Sequence, residues 1–205
     1  MSDFGGNPVL DFHGALLLQL LHCVNIDLAG VGRVMGKKCK ITFVYPDVPS
    51  LGVAYLMGVC GQAGHDAELV YYEAMDSSVY RALPSIPYEK VADDVLKTNP
   101  DIVAFSCVTK NYQFQLECAR VLKQKKPELP TIFGGVHITA VPEIVLKKDV
   151  VDCIAIGEGE KSLPLFLSEC MSGGTFTLPG TAVRGIVYKK DGAVVGGYEQ
   201  GEKNE

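Results

Sequence analysis

The sequence predicts an α/β domain of the flavodoxin/Rossmann-like kind, an open five-stranded parallel sheet with helices on both faces. Three observations lead there. From Lys38 onward, short runs rich in β-branched residues alternate with helical stretches, and this happens five times. The runs are apolar enough to be buried on both faces, as strands of a parallel sheet must be. Several end in glycine, serine or threonine, the residues that close a strand and open a turn. Right-handed crossovers then make 2-1-3-4-5 the default strand order.

The elements follow in order. Residues 39–45 (CKITFVY) read as the first, buried strand, and residues 51–63 as a helix closed by Gly64. Residues 67–71 read as the second strand. A helix over 88–97 has Pro87 near its first turn and Asn99-Pro100 past its end. Residues 102–106 (IVAFS) are the third strand, and 112–126 a long helix with Phe114, Ala119, Val121 and Leu122 on its apolar positions. Residues 131–133 are the fourth strand, 142–147 a short helix, 153–156 the fifth strand and 161–171 the last helix. Beyond them, 184–189 and 193–198 flank Asp191-Gly192, a hairpin signal. Ahead of the domain, residues 8–23 read as one short amphipathic or buried helix, a candidate surface for self-association as a homo-oligomer. Its His13 and His22 have no third ligand nearby and read as surface or packing residues. Met35-Gly36-Lys37-Lys38 also reads as a start, which would make residues 1–34 an extension. The predicted organisation is an extension over 1–37, the α/β domain over 38–172, and a connector with a β-hairpin and a frayed tail over 173–205.

Composition narrows the function. Of 205 residues, 47% are hydrophobic and 21% charged, enough to bury a sizeable core. A net charge of −5 argues against a dedicated nucleic-acid binder. No stretch reaches the roughly 18–20 apolar residues of a membrane helix. Residues 14–21 (GALLLQLL) come nearest, but lack a basic flank and a signal-type cleavage site. Seven scattered cysteines form no C-x-x-C pair, so a reducing, cytoplasmic compartment is expected rather than a disulfide scaffold.

In such a fold, ligands bind beyond the carboxyl ends of the strands, where strand order reverses. The segments there are Pro46 to Gly52, Ser106 to Tyr112, Gly134 to Thr139 and Gly157 to Glu160. Three of the four are rich in small residues, which let backbone approach a ligand. Familiar motifs fit badly. No G-x-G-x-x-G follows the first strand. Gly157-Glu158-Gly159-Glu160-Lys161-Ser162 ends like a phosphate loop, but two carboxylates would repel a triphosphate. Only a faint echo of a phospho-acceptor receiver exists, in Asp47 and Lys161. A flavodoxin-type phosphate loop would need more hydroxyls than Ser50.

These loops resemble the cobalamin-binding domain of B12-dependent radical SAM enzymes. The resemblance covers roughly residues 38–198. It rests on Tyr45-Pro46 with Leu51-Gly52-Val53-Ala54-Tyr55-Leu56, on Gly64-His65, on Gly134-Gly135-Val136-His137-Ile138-Thr139 with Pro142-Glu143, and on Ile156-Gly157-Glu158-Gly159-Glu160. Domains that take cobalamin with its base displaced carry D-x-H-x-x-G after the first strand, the histidine ligating cobalt. Here Asp47-x-Pro49-x-x-Gly52 puts proline in that place, and proline has no lone pair to offer. The resemblance therefore implies a base-off, His-off cobalamin with no protein ligand to cobalt.

Further assignments follow from it. The family's S-x-L appears as Ser106-x-Val108 and its glycine pair as Gly134-Gly135, making room for the nucleotide tail. The implied cofactor contacts are Ser50, Leu51, Gly52, Ser106, Val108, Thr109, Asn111, Tyr112, Gly134, Gly135, His137, Gly157, Glu158, Gly159 and Glu160. Tyr112 meets the corrin or, alternatively, begins a helix and packs on the core, and His137 contacts the tail or, alternatively, stabilises its loop. Glu158 and Glu160 accept hydrogen bonds from the ligand, or one of them caps the last helix. His65, Cys107 and Cys153 read as structural. The resemblance also implies a radical SAM barrel with a three-cysteine iron–sulfur cluster, and no such cysteine run occurs here. The expected role is a cobalamin module for methyl or electron exchange with a radical SAM domain or protein, not catalytically complete alone. The alternatives are a flavodoxin-like flavin or nucleotide redox domain, and a cofactor-free interaction domain.

Overall fold

The computed structural model describes residues 37–46, 50–72, 88–180 and 182–197. The readings placed on residues 1–36, on 47–49 with Asp47 and Pro49, on Pro87, and on the tail from 198 lie outside the described residues.

The described elements are β1 (Lys40–Pro46), α1 (Leu51–Gln62), β2 (Asp66–Tyr72), α2 (Tyr88–Lys97), β3 (Ile102–Ser106), α3 (Thr109–Lys125) and β4 (Thr131–Gly134). After them come α4 (Val136–Ala140), α5 (Pro142–Leu146), β5 (Cys153–Ala155), α6 (Ser162–Cys170), β6 (Ile186–Lys190) and β7 (Ala193–Val195). One sheet runs in the order β2-β1-β3-β4-β5-β6-β7. Its first five strands pair in parallel, in the expected 2-1-3-4-5 order.

The hairpin corrects the expectation of a five-stranded sheet with an appendage. β6 pairs antiparallel to β5, and β7 to β6, so the sheet is mixed and has seven strands. The physical reason is the edge. β5 would otherwise leave a row of unpaired backbone groups, and β6 satisfies them.

Side chains alternate along each strand, and the two faces carry separate cores. Val44, Val103, Phe105, Phe133 and Ile154 pack under α2, α3, α4 and α5. Ile41, Phe43, Ala104, Ile132 and Cys153 pack under α1 and α6. The α2 sequence shows how: Val91, Ala92 and Val95 are buried, while Lys90 and Lys97 pair with Asp94 outside. Burying a valine contributes about 1.5–3 kcal/mol, whereas exposed ion pairs contribute ~0.5 kcal/mol, so the apolar stripe holds the helix. Asn99 turns the chain after α2 at φ 51°, a conformation asparagine tolerates.

Two helices differ from the sequence reading. The helix expected from residue 112 begins at Thr109. The segment after Gly135, expected as loop, forms the short helix α4. Val108 has no side chain with which to cap α3. The Asn111 carboxamide supplies the cap instead, accepting the Val108 N–H at 2.9 Å.

His65 ties the α1 and α6 side together. It is 3% exposed, in the turn after α1. Its Nδ1 accepts the Cys39 N–H at 3.3 Å, and Nε2 faces Pro164 O and Ser168 Oγ at 3.2 and 3.1 Å. Accepting at Nδ1 requires the neutral ring with its proton on Nε2. Burial lowers the His65 pKa accordingly. The unfolded chain takes up a proton near pH 6.5 and the native state resists it. Stability is therefore full above that pH and falls as the pH drops below it. Denaturant unfolding at pH 7.5 and pH 5.5 should show this loss. His65→Gln should flatten that part of the pH dependence and cost about 1–3 kcal/mol at pH 7.5.

Candidate functional site

The carboxyl ends of β1, β3, β4 and β5 surround a cleft of about 470 Å³, within the range of small-molecule sites. It lies on the face that carries α1 and α6. Its floor is a trough of small and apolar residues: Ala104, Ile132, Gly134 and Ala155, with Phe43 beside them. Leu56 of α1 and Leu163 of α6 line it from the helices. The trough is open because Gly134 has no side chain. A methyl added there would touch Ala155 Cβ at 3.4 Å.

The four loops sit around this trough. Ser50 and Gly52 border it from α1, and the Ser50 hydroxyl is already used, accepting the Val53 N–H at 3.3 Å. Ser106 and Val108 border it from β3. Gly134 and Gly135 border it from β4, with Val136, Thr139 and Ala140 behind them. Gly157, Glu158, Gly159 and Glu160 close it from β5. Gly157 and Gly159 stand at φ 84° and 83°, and the Gly157 N–H donates to Thr139 Oγ1 at 3.0 Å. No side chain at the N-cap position, Lys161, bonds the start of α6, where Gly159 O accepts the Leu163 N–H at 2.9 Å.

Gly135 locks two loops together. It stands at φ 98°, and a Cβ there would lie 2.7 Å from Cys107 O. The Cys107 N–H donates to Gly134 O at 2.8 Å, and Cys107 O accepts the His137 N–H at 3.2 Å. Backbone to backbone, the turn after β3 is sewn to the turn after β4.

Five of the expected contacts do not line the cleft: Leu51, Thr109, Asn111, Tyr112 and His137. Leu51 points out and is 74% exposed. Asn111 is buried, capping α3 and donating to Ser106 O at 3.4 Å. Thr109, Tyr112 and His137 form a cluster of their own beside the mouth. His137 Nδ1 lies 3.2 Å from Thr109 Oγ1, and its ring packs on Tyr112 with centroids 4.3 Å apart. Tyr112 stands one turn into α3, half-buried against the core, and burial raises its phenol pKa. The residues that the loop reading missed include Phe43, Tyr45, Ala104, Ile132 and Ala155 on the strands, and Leu56 and Leu163 on the helices. The signal for them was parity: Ala104 and Ile132 lie two residues before Ser106 and Gly134, hence on the same face.

Among the described residues, no group of three or more His, Cys, Asp or Glu is arranged to hold a metal ion. None of the described helices is long and apolar enough to cross a membrane.

The B12 binding domain family matches residues 38–167. The anaerobic magnesium-protoporphyrin IX monomethyl ester cyclase of Rubrivivax gelatinosus is 27% identical over 169 residues, 76% of this chain and 29% of that protein. The cobalamin-dependent radical SAM methyltransferase TokK of Streptomyces tokunonensis is 31% identical over 101 residues, 48% of this chain and 14% of its own length. Among solved structures, the cobalamin-dependent S-adenosylmethionine radical enzyme OxsB with aqua-cobalamin bound shares the fold, with a TM-score of 0.58 at 15% identity. That match covers 92% of this chain and 28% of OxsB. The chain spans less than a third of the length of these curated relatives.

The glycine geometry predicts a pair of opposite effects. Gly135→Ala should destabilise the domain by about 1–3 kcal/mol from its backbone conformation alone, and more from the contact with Cys107 O. Gly61→Ala, inside α1 with nothing within 4 Å of the new methyl, should stabilise it by about 0.4–1 kcal/mol. Thermal unfolding of the two variants checks both signs.

Proposed function

The chain belongs to the B12 binding domain family, and from that premise we propose that it holds cobalamin base-off, the nucleotide tail lying in the cleft between α1 and α6. The observation that carries this reading is the trough itself. Ala104, Gly134 and Ala155 leave open a strip of sheet that larger residues would fill, and Leu56 and Leu163 line it from the helices. A flat aromatic base suits such a slot: apolar above and below, with polar groups only at the mouth. Burial of its surface contributes about 25 cal/mol per Å².

Each loop then has a task. Ser106 and Gly134 leave space for the ribose and phosphodiester. The carboxylates of Glu158 and Glu160 accept hydrogen bonds from ribose hydroxyls or corrin amides. A single phosphodiester on an otherwise neutral ligand tolerates an acidic domain. Bound here, cobalamin supplies a cobalt atom able to carry a methyl group or to exchange electrons. The chain supplies no ligand to that metal, because its sequence has Pro49 at the motif position of the ligating histidine. Catalysis belongs to a radical SAM domain or protein that works with this one, since no three-cysteine cluster run occurs in these 205 residues.

Anaerobic titration with hydroxocobalamin and methylcobalamin tests the reading, followed by absorbance. Saturable binding is expected, and the reduced Co(II) protein should show no nitrogen splitting in its electron paramagnetic resonance spectrum. A split spectrum would sink the ligand-free lower face. Absence of binding at high micromolar cofactor would sink the cofactor itself. Gly134→Val should remain folded and lose at least tenfold in affinity, because its added methyls enter the trough.

A further inference from the structure

Resting on the cobalamin reading above, we infer that Gln115 is the positioning residue of the cleft: a buried amide strut that fixes how far β1 and β3 stand apart where strand order reverses. Pairing between β1 and β3 ends at Val44–Phe105. On either side it runs further, to Pro46–Tyr72 and to Ser106–Gly134. A gap therefore opens between Tyr45 and Ser106, both of which border the cleft.

Gln115 reaches this gap from α3, on the opposite face of the sheet, and is fully buried. Its Nε2 donates to Val44 O at 3.2 Å and to Ser106 O at 3.1 Å, one proton to each side of the gap. Its Oε1 accepts the Cys107 thiol proton at 2.6 Å. Two donors on one planar nitrogen have a fixed angle, so the two carbonyls are held at a fixed separation. Cys107 in turn carries the backbone bonds to Gly134 and His137 and the close contact with Gly135. One side chain thus sets β1 against β3, and the turn after β3 against the turn after β4. No other residue type offers two such donors and an acceptor at this length. Ionised glutamate loses the donors, asparagine is a methylene short, and leucine removes the donor to Val44 O and leaves Ser106 O with only the 3.4 Å bond from Asn111.

The test has two arms. In the cofactor-free protein, Gln115→Leu should speed hydrogen exchange of the Tyr45, Ser106 and Cys107 amides at least tenfold while Ile41 and Thr42 keep their rates. In the titration, Gln115→Leu should weaken cobalamin binding at least tenfold. Leu122→Ala, buried further along the same helix, should lose stability and keep its affinity within about twofold. Gln115→Glu supplies a second variant should the leucine variant fail to fold. Protonated, its carboxyl donates one bond, and ionised it donates none, so its affinity should fall with rising pH against a flat wild type. Unchanged exchange at Ser106 and Cys107, or equal affinity losses in Gln115→Leu and Leu122→Ala, overturns the strut. Failure of the wild type to bind cobalamin sinks the cofactor reading instead, and the exchange arm still judges Gln115.

Discussion

The reversal of strand order between β1 and β3 is the constraint on which the rest depends. From β1 the chain crosses to β2 on one side, and from β2 it returns past β1 to β3 on the other. Helices leave the two central strands in opposite directions, so no connection closes the space above their junction. The gap is an outcome of right-handed crossovers, not of any one residue. What individual residues decide is its shape: the length over which β1 and β3 remain paired, and the size of the side chains along the floor.

The two faces of the sheet divide the work. Four helices cover one face with large residues, including the stacked Phe105 and Phe133 with centroids 4.6 Å apart. Among the described elements α1 and α6 cover the other, and between them the floor is built largely from small residues, with Ile132 among them. His65 binds these two helices away from the mouth, through the chain entering β1 and through Pro164 and Ser168 of α6. The same face is therefore tight around a neutral, buried imidazole and open where the loops converge. The cysteines of this layer follow the rule for core thiols. Burial pushes Cys60 and Cys170 up to about 12, leaving protonated, inert side chains.

Much of this was legible from alternation and turn chemistry. The five parallel strands, their order, and the convergence of four loops follow from continuous apolar runs ending in small residues. The start of α3 was not legible, because its cap comes from Asn111, inside the helix, where Val108 offers nothing. With that start set three residues late, the segment 109–111 read as loop, whereas the helix places Thr109, Asn111 and Tyr112 outside the lining of the cleft. His137 stands beside the mouth and not in the cleft for a related reason: α4 turns it toward Tyr112. Loop membership identifies which backbone reaches the cleft, but a helix begun early rotates its side chains away. The strand residues of the floor, by contrast, were available from parity alone.

The hairpin bears on the cleft more than its position in the sequence suggests. β5 has only three residues, too few to hold the loop that follows it by its own pairing with β4. β6 pairs along all three of them, and the Ile156 N–H continues the contact to Gly185 O at 2.8 Å. Gly185, at φ 81°, lies so close that a Cβ would stand 3.3 Å from Ile156 O. The next residue after Ile156 is Gly157, the first of the four that close the cleft. The antiparallel strands therefore act as a backing for Gly157 to Glu160: they complete the edge of β5 and fix where its loop begins. A domain with five parallel strands alone would have the same floor and a looser wall.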